Sequence, residues 1–271
     1  MINTLVYYHS NCPDGFGSAW AFSKFYSDKA EYIPFTYGNK IKDYEGKNVF
    51  FLDCSCDREY LLEIKSKAKS LVLIDHHITA LNNLGDLDFC KIDMDNSGCV
   101  LSWKYLYSEK ETPIILRYIE DRDLWKWNMK HSKEILCYVD SFDRTFSNWD
   151  HINNLLSSGE ESFNTVIKSG SDILRYKSQL AEKISKNSER IKICGYNGIM
   201  VNSPFLQGEI ADELTSYDVV LVYYRVGSMY KCSLRTTKDN VNVAKIAEKF
   251  GGGGHRKASG FVTSNLEKVI R

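Results

Sequence analysis

The triplet Asp75-His76-His77 directly follows the apolar run Leu71-Val72-Leu73-Ile74. Ionisable groups so placed are costly to bury unless they coordinate a cation or hydrogen-bond at the end of a strand. Two other apolar runs end in the same way. Leu5-Val6-Tyr7-Tyr8 leads into His9, with Asp14 shortly after it, and Val49-Phe50-Phe51-Leu52 leads into Asp53. Converging oxygen and imidazole donors suit Mn2+ or Mg2+, and a carboxylate such as Asp53 could bridge two ions, as two-metal phosphoryl chemistry requires. The cluster Glu120-Asp121-Arg122-Asp123 alone reads as a solvated helix end with an internal ion pair. Beside the other three groups it reads as a source of one more carboxylate ligand. The eight cysteines include no CxxC pair, which argues against a sulfur-rich zinc site and, in a reducing compartment, for free thiols.

Continuous apolar runs of this kind suit strands covered on both faces, as in a parallel sheet. Residues 16–26 and 58–70 fit crossover helices between them, giving a βαβ rhythm. Ligands of open α/β sheets bind beyond the carboxyl ends of the strands, where His9, Asp53 and Asp75 fall. Further helices are expected over 97–107 and, with Pro113 in the first turn, over 113–120. The polar stretch 169–191 reads as a helix joining two domains. Strand patterns follow at 198–201, 219–224 and 230–234, then Val243, Ile246, Ala247 and Phe250 at helical spacing. Gly251-Gly252-Gly253-Gly254-His255 comes next, ahead of the strand-like Gly260-Phe261-Val262. Four glycines remove every Cβ from a loop and let backbone N–H groups approach an anion closely. The expected fold class is α/β: a mostly parallel sheet domain over 1–168, a linker helix over 169–191, and a smaller α+β domain over 192–271.

A chain of 271 residues is long enough for two such domains. Its 43% hydrophobic and 26% charged residues exclude a largely disordered protein. No apolar run reaches the length of about 18 residues that a membrane span needs, and the N-terminus lacks a signal-peptide pattern, so a cytoplasmic protein with no membrane partner is expected. The net charge of zero hides a division: residues 1–165 carry 18 Lys and Arg against 25 Asp and Glu, and the remainder 17 against 10. An acidic half suited to cations precedes a basic half suited to phosphates. No stripe of closely spaced Lys and Arg marks a duplex-DNA binder.

Asp75-His76-His77 resembles the signature after which the DHH phosphoesterases are named. Residues 9–19 (HSNCPDGFGSA), Leu52-Asp53 and Ile119-Glu120-Asp121 are similar to the motifs around it. Residues 251–260 (GGGGHRKASG), with Ser233-Leu234-Arg235 and 241–247 upstream, resemble the DHH-associated substrate-binding domain. The family includes RecJ-like exonucleases, nanoRNases that degrade short oligonucleotides, and family II pyrophosphatases, the last with a different C-terminal domain. The resemblance implies a Mn2+-dependent phosphoesterase holding one or two ions, with Mg2+ or Co2+ as substitutes. By it, His9 and Asp53 would hold one ion, and Asp14, Asp53, His76 and Asp121 the other, with Asp123 the alternative to Asp121. Asp75 would orient the neighbouring imidazoles, and Asp75, His76 and His77 would form the catalytic centre. His77, Arg235, Gly252, Gly253, Gly254 and His255 would bind the substrate. Cys12 departs from the pattern, since it stands where the family carries the first aspartate of Asp-x-Asp; it would serve as a thiolate ligand, or the first metal site would be weak, completed by water or empty. Implied substrates are short oligonucleotides, cyclic or linear dinucleotides, or the terminal phosphate of a nucleotide such as 3′-phosphoadenosine 5′-phosphate. The alternative is a catalytically idle, nucleotide-binding regulatory protein that has lost one metal through Cys12. An oligomer is compatible with the sequence, and nothing in it marks one.

Overall fold

In a computed structural model describing residues 2–270, the apolar runs form the centre of a five-stranded parallel sheet. Its strands are β1 (Thr4–His9), β2 (Ala30–Phe35), β3 (Asn48–Leu52), β4 (Ser70–Asp75) and β5 (Cys90–Ile92), in the order β2-β1-β3-β4-β5. The central strands are apolar throughout because both faces are covered. Leu5, Tyr7, Phe51, Leu71 and Leu73 pack on one face with Leu61 and Ile64 of α2 (Arg58–Lys67). Val6, Phe50, Leu52 and Ile74 pack on the other with Phe22 of α1 (Pro13–Tyr26). Tyr8 pairs with Leu52, and Leu52 with Ile74. The next residue of each strand or its exit is therefore His9, Asp53 or Asp75. Parallel register alone brings these three out side by side at one edge of the sheet.

Six more helices complete the first unit, which ends at Ser171: α3 (Ile78–Leu84), α4 (Gly98–Leu106), α5 (Ile114–Asp123), α6 (Ser132–Asp140), α7 (Phe146–Ser157) and the first part of α8 (Glu160–Ser185). Phe16 and Trp20 of α1, Cys99 of α4, Ile115 and Ile119 of α5, and Trp149 of α7 share one core. That core holds α4 and α5 beside the exits of β1 and β3.

The helix read over 169–191 instead starts at Glu160 and stops at Ser185, and residues 186–191 turn into β6 (Glu189–Ile193). The second unit, from Asp172, is a mixed sheet of β6, β7 (Tyr196–Asn202), β8 (Val219–Val226), β9 (Met229–Arg235), β10 (Gly253–Gly254) and β11 (Ala258–Thr263). Its order is β10-β11-β9-β8-β7-β6, and only β7 and β8 run parallel. Helices α9 (Gln207–Glu213) and α10 (Val243–Glu248) cover it. The glycine run is one arm of a hairpin, with Gly253 and Gly254 opposite Gly260 and Ser259. A Cβ at Gly252 would strike the Gly260 carbonyl, so the absence of a side chain there serves close backbone packing. No helix among the described residues is long and apolar enough to cross a membrane.

Trp149 anchors the core that positions α4 and α5, and it is 1% exposed. Trp149→Ala is expected to cost roughly 3–5 kcal/mol in urea unfolding. Trp149→Phe should cost much less, because the indole Nε1 is buried without a hydrogen-bond partner and phenylalanine deletes it. Equal losses in the two variants would contradict this assignment.

Candidate active site

His9, Asp53 and Asp75 leave the sheet in one row, and the elements around them close that row into a buried cluster. Asp53 adopts a left-handed backbone (φ 56), which a non-glycine residue holds only when its surroundings impose it. Its amide donates to the Ile74 carbonyl at 2.8 Å, which continues the β3–β4 pairing through the turn. The carboxylate then reaches two imidazoles: Oδ2 lies 3.3 Å from His9 Nδ1, and Oδ1 3.2 Å from His76 Nε2. Asp14, in the first turn of α1, sits at the N-terminus of α4 and accepts from the amides of Gly98 at 2.7 Å and Cys99 at 2.9 Å. Those helix-terminal N–H groups and their dipole stabilise a carboxylate. Gly98 is required by the approach, since a Cβ would lie 2.7 Å from that of Asp53 and 2.8 Å from Asp14 Oδ2. These two amides are the part of the site that motif reading missed; a helix start at 97 was the available signal.

Asp75 Oδ1 accepts from the amides of His76 at 2.7 Å and His77 at 3.2 Å, and lies 2.6 Å from His77 Nδ1. Asp75 thus fixes the turn and the His77 ring together. His76 Nε2 reaches Asp14 Oδ2 at 3.6 Å and Asp123 Oδ2 at 3.4 Å as well as Asp53. The structure therefore places Asp123 here and directs Asp121 away. Residues two apart on a helix diverge by about 200°. The Asp121 carboxylate instead accepts from Asn128 at 2.8 Å and Met129 at 3.2 Å, holding the turn after α5.

The charges in this cluster compete. Burial pushes the Asp53 carboxyl up, but hydrogen bonds from His76 and His9 and the charge of His77 outweigh it and hold the group well below the usual carboxylate range. Burial and then the charge of Asp14 push Asp123 up to about 8. Burial disfavours protonated His76 and His77, yet the Asp53 hydrogen bond with nearby carboxylates carries His76 up to about 10, and Asp75 carries His77 up to about 9. Burial, then Asp53, Asp14 and Asp123, push the Cys12 thiol well above its ordinary range.

The residues fit a divalent cation. Asp75 Oδ2 and Asp123 Oδ2 are buried with no hydrogen-bond partner, Asp53 Oδ1 meets only the His76 ring, and such carboxylate oxygens beside imidazoles form a hard-donor set. Within the first unit, three groups of potential ligand atoms each lie within 4.8 Å of one another: Asp14, His76 and Asp123; His9, Cys12 and Asp53; and Asp53, Asp75 and His77. All of these residues belong to the first unit. Arg235, Gly252, Gly253, Gly254 and His255 belong to the second. There Arg235 Nη1 donates to the Leu234 carbonyl at 2.9 Å, and His255 lies in the turn between β10 and β11. All eight cysteines are free.

The DHHA1 domain family matches residues 206–271. Oligoribonuclease NrnB of Bacillus subtilis is 27% identical over 230 aligned residues, covering 75% of this chain and 55% of that protein. These likenesses agree with the resemblance of the chain's motifs to the DHH phosphoesterases. An uncharacterized mimivirus protein, R106 of Acanthamoeba polyphaga mimivirus, is 29% identical over 98% of this chain and 69% of its own length. In fold, RecJ from Thermus thermophilus, solved in complex with Mn2+, superposes with a TM-score of 0.51 at 11% identity, over 98% of this chain and 50% of RecJ.

Substitutions separate the two aspartates of α5. Asp123→Asn is expected to weaken Mn2+ binding, measured by calorimetry, about tenfold or more, since a lost charged ligand exceeds 1.4 kcal/mol. Asp121→Asn should leave Mn2+ affinity within about threefold and lower the melting temperature, because it removes acceptors from the 128–129 turn. The reverse pattern would put Asp121 in the metal shell.

Proposed function

We propose that this protein is a Mn2+-dependent phosphoesterase that hydrolyses phosphodiester bonds of short oligonucleotides. The observation that carries the reading is the cluster of buried Asp14, Asp53 and His76 with the half-buried Asp123, and its orphaned carboxylate oxygens. NrnB, named as an oligoribonuclease, supports the substrate class, and RecJ in complex with Mn2+ supports the ion. His76, Asp14 and Asp123 would hold one ion, and His9 and Asp53 a second, with Asp53 placed to bridge. Bound divalent cations supply Lewis-acid stabilisation of the phosphoryl oxygens and a more acidic water.

The chain's own groups do the rest. Asp75 sets the rotation of His77 through Nδ1, so the ring meets the substrate phosphate in one orientation. The Gly98 and Cys99 amides keep Asp14 in place through backbone donors. In the second unit Arg235, half-buried on β9, and His255 beside the glycine hairpin would grip the substrate's phosphates. Burial lowers the Arg235 pKa, with Glu209 opposing that fall, as suits a guanidinium awaiting an anion.

Purified protein is expected to turn over di- to pentanucleotides with Mn2+, and Asp53→Ala should abolish turnover, a loss of several kcal/mol or roughly a hundredfold and beyond. Turnover of pyrophosphate alone would sink the reading. Nucleotide binding without product in Mn2+, Mg2+ and Co2+ would establish the non-catalytic alternative that Cys12 raises.

A further inference from the structure

Apart from the proposed activity, we infer that a basic cavity of the second unit binds a nucleoside monophosphate, on the face of the sheet opposite Arg235. The cavity, about 380 Å3, falls in the size range of small-ligand sites, and Tyr196, Asn240, Asn242, Lys245, Lys249 and Arg256 supply its polar lining. Three cations and no carboxylate line it. Part of the cationic excess of the second half of the chain is gathered here.

Strand alternation separates this cavity from Arg235. Leu234 packs with Val243, Ile246 and Ala247 of α10. Arg235 follows it on β9 and so turns to the other face, where its cross-strand partner Val220 packs with Ile210 and Ala211 of α9. The cavity lies on the α10 side, since Lys245, Ile246 and Lys249 come from that helix and its C-terminal cap, and Tyr196 packs on the same core as Leu234.

The cations are brought together by the backbone rather than by acidic partners. Lys245 and Lys249 stand one helical turn apart, a spacing at which like charges repel, and among the described residues neither makes an ion pair. Gly251 (φ 75) reverses the chain after α10, and the Arg256 carbonyl accepts from the Val243 amide at 2.9 Å, which returns Arg256 to the start of the helix. The Arg256 guanidinium donates to the Asp239 carbonyl, while the Asp239 carboxylate is taken by Lys257 at 2.7 Å. A guanidinium has five N–H donors, so contact with a phosphate remains open to it. A monophosphate carries about 1.5 to 2 negative charges at neutral pH, which such a cluster offsets. The remaining groups suit a nucleoside. Asn242 Oδ1 accepts from the amides of Ala244 at 3.1 Å and Lys245 at 3.4 Å, leaving its side-chain nitrogen to donate. Left-handed Cys194 and Gly195 (φ 48 and 89) form the tight turn that seats Tyr196, and the half-buried ring offers a surface on which a base can stack.

The test is calorimetry of the full chain in EDTA with adenosine 5′-monophosphate, inorganic phosphate and adenosine. Arg235→Ala removes the proposed substrate grip and should still bind the monophosphate, while adenosine should not bind. In that background Lys245→Gln/Lys249→Gln should weaken monophosphate binding about tenfold or more, and Lys245→Arg/Lys249→Arg should retain it. If Arg235→Ala does not fold, loss of one bound monophosphate from wild type on Lys245→Gln/Lys249→Gln gives the same answer. Tyr196→Ala should weaken the monophosphate about threefold or more and leave phosphate unchanged. No binding in folded Arg235→Ala, or binding indifferent to Lys245→Gln/Lys249→Gln, would overturn the inference. Phosphate binding as tightly as the monophosphate would overturn the nucleotide as ligand. Dinucleotide turnover with Mn2+ should stay within about threefold in Lys245→Gln/Lys249→Gln; a matched loss of turnover and binding would put these lysines in the substrate's path and overturn a separate site. Lysine-dependent binding in a wild type that turns over no dinucleotide would keep this site and sink the proposed activity.

Discussion

Three aspartates, the buried Asp14 and Asp53 and the half-buried Asp123, surround the single imidazole of His76, and the first unit is organised by the need to offset their repulsion. Two like charges about 4 Å apart repel by about 4 kcal/mol at an effective dielectric constant of 20. The protein answers with fixed backbone dipoles alongside the His76 and His77 imidazoles. Amides at the start of α4 take Asp14, and amides after β4 take Asp75. The oxygens left over are the ones without partners, and their compensation could come from a bound cation.

Gathering these oxygens makes the backbone exacting. Asp53 holds a left-handed conformation at the end of β3, and Gly98 must lack a Cβ for α4 to approach. These local costs are carried by the packing below: the apolar faces of β1, β3 and β4 fix the row of exits, and the core around Trp149 fixes α4 and α5. Stability at the base of the sheet thus sets the geometry at its edge.

Much of this was legible in the sequence because it is local. Apolar runs ending in His9, Asp53 and Asp75 announce parallel strands with chemistry at their carboxyl ends, and the structure has those strands in that register. What was not legible depends on tertiary placement. The edge strand β2 escaped because Glu31 and Pro34 interrupt its apolar pattern; Pro34 is tolerated where one side of a strand is unpaired. Helices α3, α6, α7 and α9 carry no motif to mark them. Asp121 and Asp123 are indistinguishable by motif, and only the helical phase of α5 turns one to the cluster and the other to the 128–129 turn. The glycine run reads as an open loop, whereas Gly253 and Gly254 lie in a hairpin.

The central claim is that the native cluster is incomplete without a divalent cation. A ligand that binds only the folded state stabilises it by an amount that grows with concentration, about 2.7 kcal/mol at a hundredfold excess over Kd. Thermal unfolding of metal-free protein across a Mn2+ titration measures this directly. The melting temperature should climb steadily with Mn2+ in wild type and stay flat in Asp53→Ala; a wild-type melting temperature indifferent to Mn2+, or one that climbs equally in the variant, would contradict the claim.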